Sequence, residues 1–229
     1  MVPTTRTTGE ARRVAYHHGD LAPALVAQAL HMVRANGAES LSLRQVAQAV
    51  GVSPSAAYAH FADKVALLRA VAVEGERALD AALSAAVESV PGDDDLAALT
   101  RFLHTGEAYI AWATSEPHLF RHTFGPYCHY ISEHPLTMAD FHQMKGESLA
   151  LGLVQLGIAD LKRRGLLRAD ETEGLELLLW TSVHGFASLA LDGHLPAQAA
   201  SELFSAILRS ICNERAHALV GELASPLAD

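Results

Sequence analysis

Two helix boundaries lie within three residues of each other, and they constrain this 229-residue chain more than any other feature. Leu43, Val46, Ala47 and Val50 recur at i, i+3, i+4 and i+7, which makes one apolar helical face. Ser42 stands just before that face, where its hydroxyl can accept a bond from an orphan backbone N–H. Gly51 follows the last periodic residue and suits the left-handed geometry that ends a helix. Ser53-Pro54 then reads as an N-cap followed by proline at the first helical position. The spacing predicts a short helix over 43–50, a tight turn and a second helix over Pro54–His60, with Asp63-Lys64 opening a third. Ala47 and Gly51 are small where the first two helices must cross closely. An αα-hairpin of any helical protein shows part of this pattern. In a helix-turn-helix, the second helix is the one that enters a major groove.

The run Gly-Val-Ser-Pro-Ser-Ala-Ala-Tyr-Ala-His-Phe-Ala-Asp-Lys, from Gly51 to Lys64, resembles the DNA-binding signature of the TetR family of transcriptional repressors. In that family a Tyr-x-x-Phe pair closes the recognition helix and a lysine opens the fourth helix. Tyr58, Phe61 and Lys64 are the matching residues, and the resemblance covers about the first 75 residues.

The net charge of −9 looks wrong for a nucleic-acid binder until it is divided by position. Residues 1–70 carry seven Lys/Arg against four Asp/Glu, a balance of +3, which leaves −12 for the remainder. A basic head on an acidic body attracts phosphate locally while the body repels it. Half of the residues are hydrophobic, only 6% are aromatic, and Ala and Leu dominate, so closely packed helices are expected rather than a β-sandwich. No stretch approaches the length of an uncharged membrane span, and no apolar signal core follows the N-terminal basic residues, so a cytoplasmic protein is expected. Cys128 and Cys212 read as reduced thiols.

Residues 1–17 are polar, with Arg6, Arg12 and Arg13, and read either as a disordered terminus or as a basic arm reaching the minor groove. Asp20 is placed to cap a first helix ending at Asn36-Gly37. Asp63 caps a longer helix, expected to reach about Ser89, that would belong to both domains and link them mechanically. Asp93-Asp94-Asp95 suits the positive end of a helix running to about Ser115. The segment from Glu116 to Pro135 is read as irregular because Pro117, Pro126 and Pro135 interrupt it. Long helices are then expected over about Leu136–Gly165, over Asp170–Leu191, and from Pro196 through Leu219. Trp180-x-x-x-His184-Gly185, in the penultimate helix, resembles the "WHG" type of C-terminal regulatory domain found in part of the TetR family. That resemblance implies that the last two long helices pair with their copies in a homodimer.

The expected DNA contacts divide by chemistry. Ser42, Arg44, Tyr58, His60 and Lys64 surround the helix N-termini and the recognition helix, where they suit phosphates. Ser53, Ser55 and Ala56 are expected to face base edges, and Ala57 and Phe61 to be core. Ser55-Ala56-Ala57 offers no Arg, Asn or Gln for a bidentate base contact, so discrimination would rest partly on thymine methyls, DNA shape and the arm. An effector pocket is expected from Trp112, Phe120, Phe124, Tyr127, Met138, Phe141, Trp180 and His184, whose composition suggests an apolar or aromatic molecule. Plugging the core is an equally open role for any one of these aromatics, and hydrogen bonding in the core or at an interface for His184.

Six histidines fall between His104 and His142, and His118 and His122 stand at i, i+4. A metal- or redox-responsive regulator using these histidines or Cys128 is therefore the rival reading, although no Glu or Cys completes a recognisable ligand set. No phosphate loop, zinc-protease helix or nucleophile elbow is present, so neither catalysis nor a cofactor is expected. The expected architecture is all-α, with a basic arm at 1–17, a three-helix helix-turn-helix domain at 18–70, and a helical bundle at 71–229 for effector binding and dimerisation. The resemblance implies a repressor, bound to a pseudo-palindromic operator on double-stranded DNA and released by a small molecule.

Overall fold

The computed structural model describes residues 21–125, 148–168 and 172–224. The arm at 1–17 and Asp20 lie outside the described residues, as do Tyr127, Cys128, His129, His134, Met138, Phe141 and His142. The described residues form an all-α protein, and the only extended pairing among them is an isolated bridge between Leu167 and Cys212. None of the described helices is long and apolar enough to cross a membrane.

Four helices form the N-terminal unit: α1 (Leu21–Asn36), α2 (Leu43–Val50), α3 (Pro54–Tyr58) and the start of α4 (Lys64–Glu88). Leu25, Ala29 and Val33 of α1 meet Val46 and Ala47 of α2, Ala57 of α3, and Leu67, Leu68 and Val71 of α4 in one buried cluster. Each boundary carries the predicted cap. Ser42 Oγ accepts the Gln45 N–H at 3.2 Å, Ser53 Oγ accepts the Ala56 N–H at 3.2 Å, and Asp63 Oδ1 accepts the Ala66 N–H at 2.8 Å. Gly51, with φ of +81°, ends α2, and the Val52 N–H turns back to the Ala47 carbonyl at 2.9 Å. A side chain at that position would be strained.

Beyond α4 the body is arranged around α5 (Asp95–Ser115), which α4 packs along, and α6 (Pro117–Thr123) follows at once. The residues from Pro117 were expected to be irregular, yet Pro117 occupies the first helical position, where its missing N–H costs nothing. The long helix expected from about 136 starts instead at Leu149. Ser148 is extended and its hydroxyl accepts the Leu151 N–H at 3.3 Å, so α7 (Leu149–Arg163) has its own N-terminus. The penultimate helix likewise begins later than expected: α8 (Leu175–Leu191) starts behind Gly174, whose φ is +75°.

The final helix is divided in two, α9 (Ala200–Ile211) and α10 (Glu214–Ala224). At the break Cys212 is extended and lies against the chain between α7 and α8. The Arg168 N–H donates to the Ile211 carbonyl at 2.8 Å, and the Asn213 N–H to the Leu166 carbonyl at 3.0 Å. The Asn213 amide donates to the Gly165 carbonyl while its oxygen accepts the Ala216 N–H, so one side chain closes the bridge and starts α10. At the same end of the body, Arg164 of the chain leaving α7 pairs with Asp93, Asp95 and Asp160, and Arg215 pairs with Asp95. The acidic run before α5 thus does more than complement a helix dipole. Asp94 caps the helix and its neighbours anchor two other elements.

The short helix α6 joins head to body. Thr123 is fully buried against Gly75 in the middle of α4, where a Cβ would overlap the threonine hydroxyl. His122 Nε2–H donates to the Leu68 carbonyl of α4 at 2.8 Å, and Glu116 pairs with Arg34 of α1 at 3.2 Å. Gly75→Ala should therefore lower stability by about 1–3 kcal/mol, as overpacking does. Adding Thr123→Ala should recover part of the loss in a urea-unfolding cycle; strict additivity would contradict the contact. Burial also pushes the His122 and His184 imidazoles below the ordinary histidine range. The unfolded chain then binds protons that the folded one refuses, so stability should fall as pH drops below about 6.5. His122→Gln, which keeps a donor for Leu68, should flatten part of that decline in melting curves between pH 7.5 and 5.5.

Candidate nucleic-acid interface and the aromatic cluster behind it

The core residues of α2 and α3 determine what remains for a ligand. Ala57 is fully buried and Phe61 packs against the core, so α3 is oriented with Ser53, Ser55 and Tyr58 toward solvent. Tyr58 is 47% exposed, a large aromatic surface for a soluble face. Arg44 of α2 and His60 after α3 are also exposed, whereas Ser42 and Lys64 are half-buried. Ala56, expected at the base edges, is half-buried and packs against the core. Ala59, one turn after Ser55, and Gln48, on α2, also lie open to solvent and were not among the expected contacts. Counting helical positions away from buried Ala57 would have found Ala59.

Lys64 has a partner within the fold. Its ammonium donates to the Glu39 carbonyl in the α1–α2 connection at 2.8 Å. An ammonium has three donors, so the tie leaves capacity for a phosphate and also holds the side chain at the end of the helix-turn-helix. The N-termini of α2 and α3 are partly satisfied by Ser42 and Ser53 themselves, and Gln45 returns its side-chain oxygen to the Ser42 hydroxyl at 2.8 Å.

In the body, five of the eight residues expected around an effector come together: Trp112 from α5, Phe120 of α6 with Phe124 just beyond it, and Trp180 and His184 from α8. Tyr127, Met138 and Phe141 lie outside the described residues. Ring centroids are 5.0 Å apart for Phe124 and His184, 5.1 Å for Phe120 and His184, and 5.3 Å for Phe120 and Phe124. Tyr109 was omitted from that set, yet it touches Phe120, Phe124 and His184. It precedes Trp112 by three residues, and that spacing on α5 was the available signal. Its hydroxyl lies 2.8 Å from His184 Nδ1 and also takes a hydrogen bond from Trp180. The hydroxyl has acceptor capacity for more than the indole, so it pairs with His184 Nδ1 in either imidazole tautomer. Burial pushes the Tyr109 hydroxyl far above the ordinary tyrosine range, so it stays protonated. Tyr109, Trp112 and Phe120 are buried; Phe124, Trp180 and His184 are half-buried and form the outer side.

The paired histidines of the metal reading are separated by their environments. His118 is exposed, while His122 is buried with Nε2 committed to the Leu68 carbonyl. Among the described residues no group of three or more His, Cys, Asp or Glu is arranged to hold a metal ion. Cys212 is fully buried and its thiol is pushed up to about 11, which makes it a poor nucleophile or redox sensor.

A family model described as bacterial regulatory proteins, tetR family, matches residues 25–71. A second, described as tetracyclin repressor-like, C-terminal domain, matches residues 102–211. No curated protein matches the chain. Among solved structures, a protein of unknown function from Rhodococcus sp. RHA1 is 27% identical, with a TM-score of 0.69 over 87% of this chain and 99% of that one. A TetR family transcription regulator from Marinobacter aquaeolei VT8 is 15% identical, with a TM-score of 0.56 over 86% and 97%. A bacterial regulatory protein in the tetR family from Rhodococcus RHA1 is 21% identical, with a TM-score of 0.55 over 84% and 98%. The last two share the fold. With the helix-turn-helix and the C-terminal bundle both matched, the chain belongs to the TetR family of transcription regulators.

Proposed function

We propose that this regulator is a repressor that binds a pseudo-palindromic operator as a homodimer and is released by a small apolar or aromatic effector. The observation that carries the reading is the exposed face of α3, held by buried Ala57 and joined without a break through α4 to the body that contains the aromatic cluster. Residues 1–17 serve as a basic arm, 18–70 as the DNA-binding domain, and 71–229 as the effector-binding and dimerisation domain, with α4 crossing the second boundary. Arg44, Tyr58, His60, Ser42 and Lys64 hold phosphates. Ser53 and Ser55 face base edges, with the free side of Ala56 beside them. On this reading the protein acts on double-stranded operator DNA in the cytoplasm and has no catalytic role.

Dimerisation through the last long helices is supported by α8. Leu178, Thr181, Gly185 and Leu189 follow helical spacing along its outer side, with Leu178 52% and Leu189 44% exposed. A Cβ at Gly185 would meet nothing within 4 Å, so that side is open to close approach by a second copy. A two-fold axis there would present two α3 helices to successive major grooves. Release follows from differential affinity: the effector prefers a spacing of the heads that does not fit the operator, and α4 transmits the difference.

Titration of the purified protein against its own upstream DNA at two salt concentrations should give binding that weakens as salt rises. Salt-independent binding, or none, would sink the DNA reading. Lys64→Ala should weaken binding about equally on cognate and mismatched DNA and reduce the log–log salt slope by about one. A loss confined to the cognate site would contradict the phosphate role. A disulfide freezing α4 against α5 should abolish release by effector while leaving operator binding, and retained release would exclude α4 as transmitter.

A further inference from the structure

One polar atom in the aromatic cluster has no partner among the described residues. Trp112 is 7% exposed, and among the described residues its Nε1–H has no acceptor. A buried donor left without an acceptor is costly, whereas a phenylalanine would fill much of the same space at no such cost. The ring lies against Phe120 and Phe124, with centroids 6.1 and 6.4 Å away, so the orphan belongs to the cluster itself. The other polar groups there are mutually engaged, Trp180 with the Tyr109 hydroxyl and that hydroxyl with His184 Nδ1. What the cluster offers an incoming molecule is therefore apolar ring surface and the N–H donor of Trp112. Burial alone depresses the His184 imidazole, with no charged side chain among the described residues acting on it.

We infer that the cluster is a subsite for an uncharged aromatic ligand that carries a carbonyl oxygen, which accepts the Trp112 Nε1–H while the half-buried Phe124, Trp180 and His184 rings move aside to stack on the ligand's body. This rests on the effector reading above and narrows it to a class. A carboxylate would bring a charge into a ring-lined space to which no described residue brings a cation, and an ammonium would set donor against donor. A plain hydrocarbon would leave Trp112 as unsatisfied as before.

Isothermal titration calorimetry of the full chain with 2-acetylnaphthalene, 2-ethylnaphthalene and 2-naphthoate separates these cases without knowledge of the natural effector. The ketone should bind about tenfold more tightly than the hydrocarbon, the margin of one net hydrogen bond, and the carboxylate should bind at least about tenfold more weakly than the ketone. Trp112→Phe should erase the ketone's margin, leave hydrocarbon binding within about twofold, and leave the ligand-free melting temperature unchanged or higher. Equal binding of ketone and hydrocarbon to the wild type, or a margin that survives Trp112→Phe, would overturn the donor assignment and leave the effector reading standing. Naphthoate binding as tight as the ketone would overturn the selection against charge. Binding of none of the three would overturn the cluster as a ligand site, whereas DNA binding is decided separately by the salt titration.

Discussion

Helix α4 must satisfy two cores at once. Its first turns supply Leu67, Leu68 and Val71 to the three-helix head, and its later turns bury Leu79 and Leu83 where it packs along the body. Between these sets lies Gly75, where Thr123 of α6 sits too close for a side chain and occupies the notch. Close-packed interiors shift between discrete arrangements rather than deforming smoothly. A 25-residue helix packed at both ends is the element on which the proposed transmission rests. The His122 bond to the Leu68 carbonyl and the Arg34–Glu116 pair tie the same short helix to the head from two directions.

The arrangement matters because α6 faces two ways. His122 and Thr123 hold α4, while Phe120, with Phe124 just past the helix end, contributes to the aromatic cluster with Tyr109, Trp112 and His184. The proposed effector subsite and the head are thus separated by a single turn of helix. At the other end, α3 is only five residues long, far below the length at which a helix persists alone. Its position comes from buried Ala57, the Ser53 cap and the Gly51 turn.

The head was legible because its signals are local. Each cap and its acceptor lie three residues apart, so Ser42, Ser53 and Asp63 announce their helices without reference to the rest of the chain. The body was less legible. Asn213 is a local cap signal at the break between α9 and α10, but what holds Cys212 extended there is not local, since the bond partners at Leu166 and Arg168 are more than 40 residues away. The aromatic cluster falls between these cases. Five members were identifiable by their ring chemistry, but Tyr109 reads as one more apolar residue of α5 until α8 brings His184 to its hydroxyl.

The sequence by itself therefore determined the helical class, the helix-turn-helix and its capped boundaries, and the split between a basic head and an acidic body, all of which depend on neighbours within a few turns or on simple charge. Only the tertiary structure decided that α6 is a helix seated on Gly75, that His122 bonds to a backbone carbonyl beside exposed His118, that Lys64 ties down the α1–α2 connection, and that Trp112 carries a buried donor with no acceptor among the described residues. Those features arise where residues far apart in the chain compete for the same space, and a linear pattern carries no record of that competition.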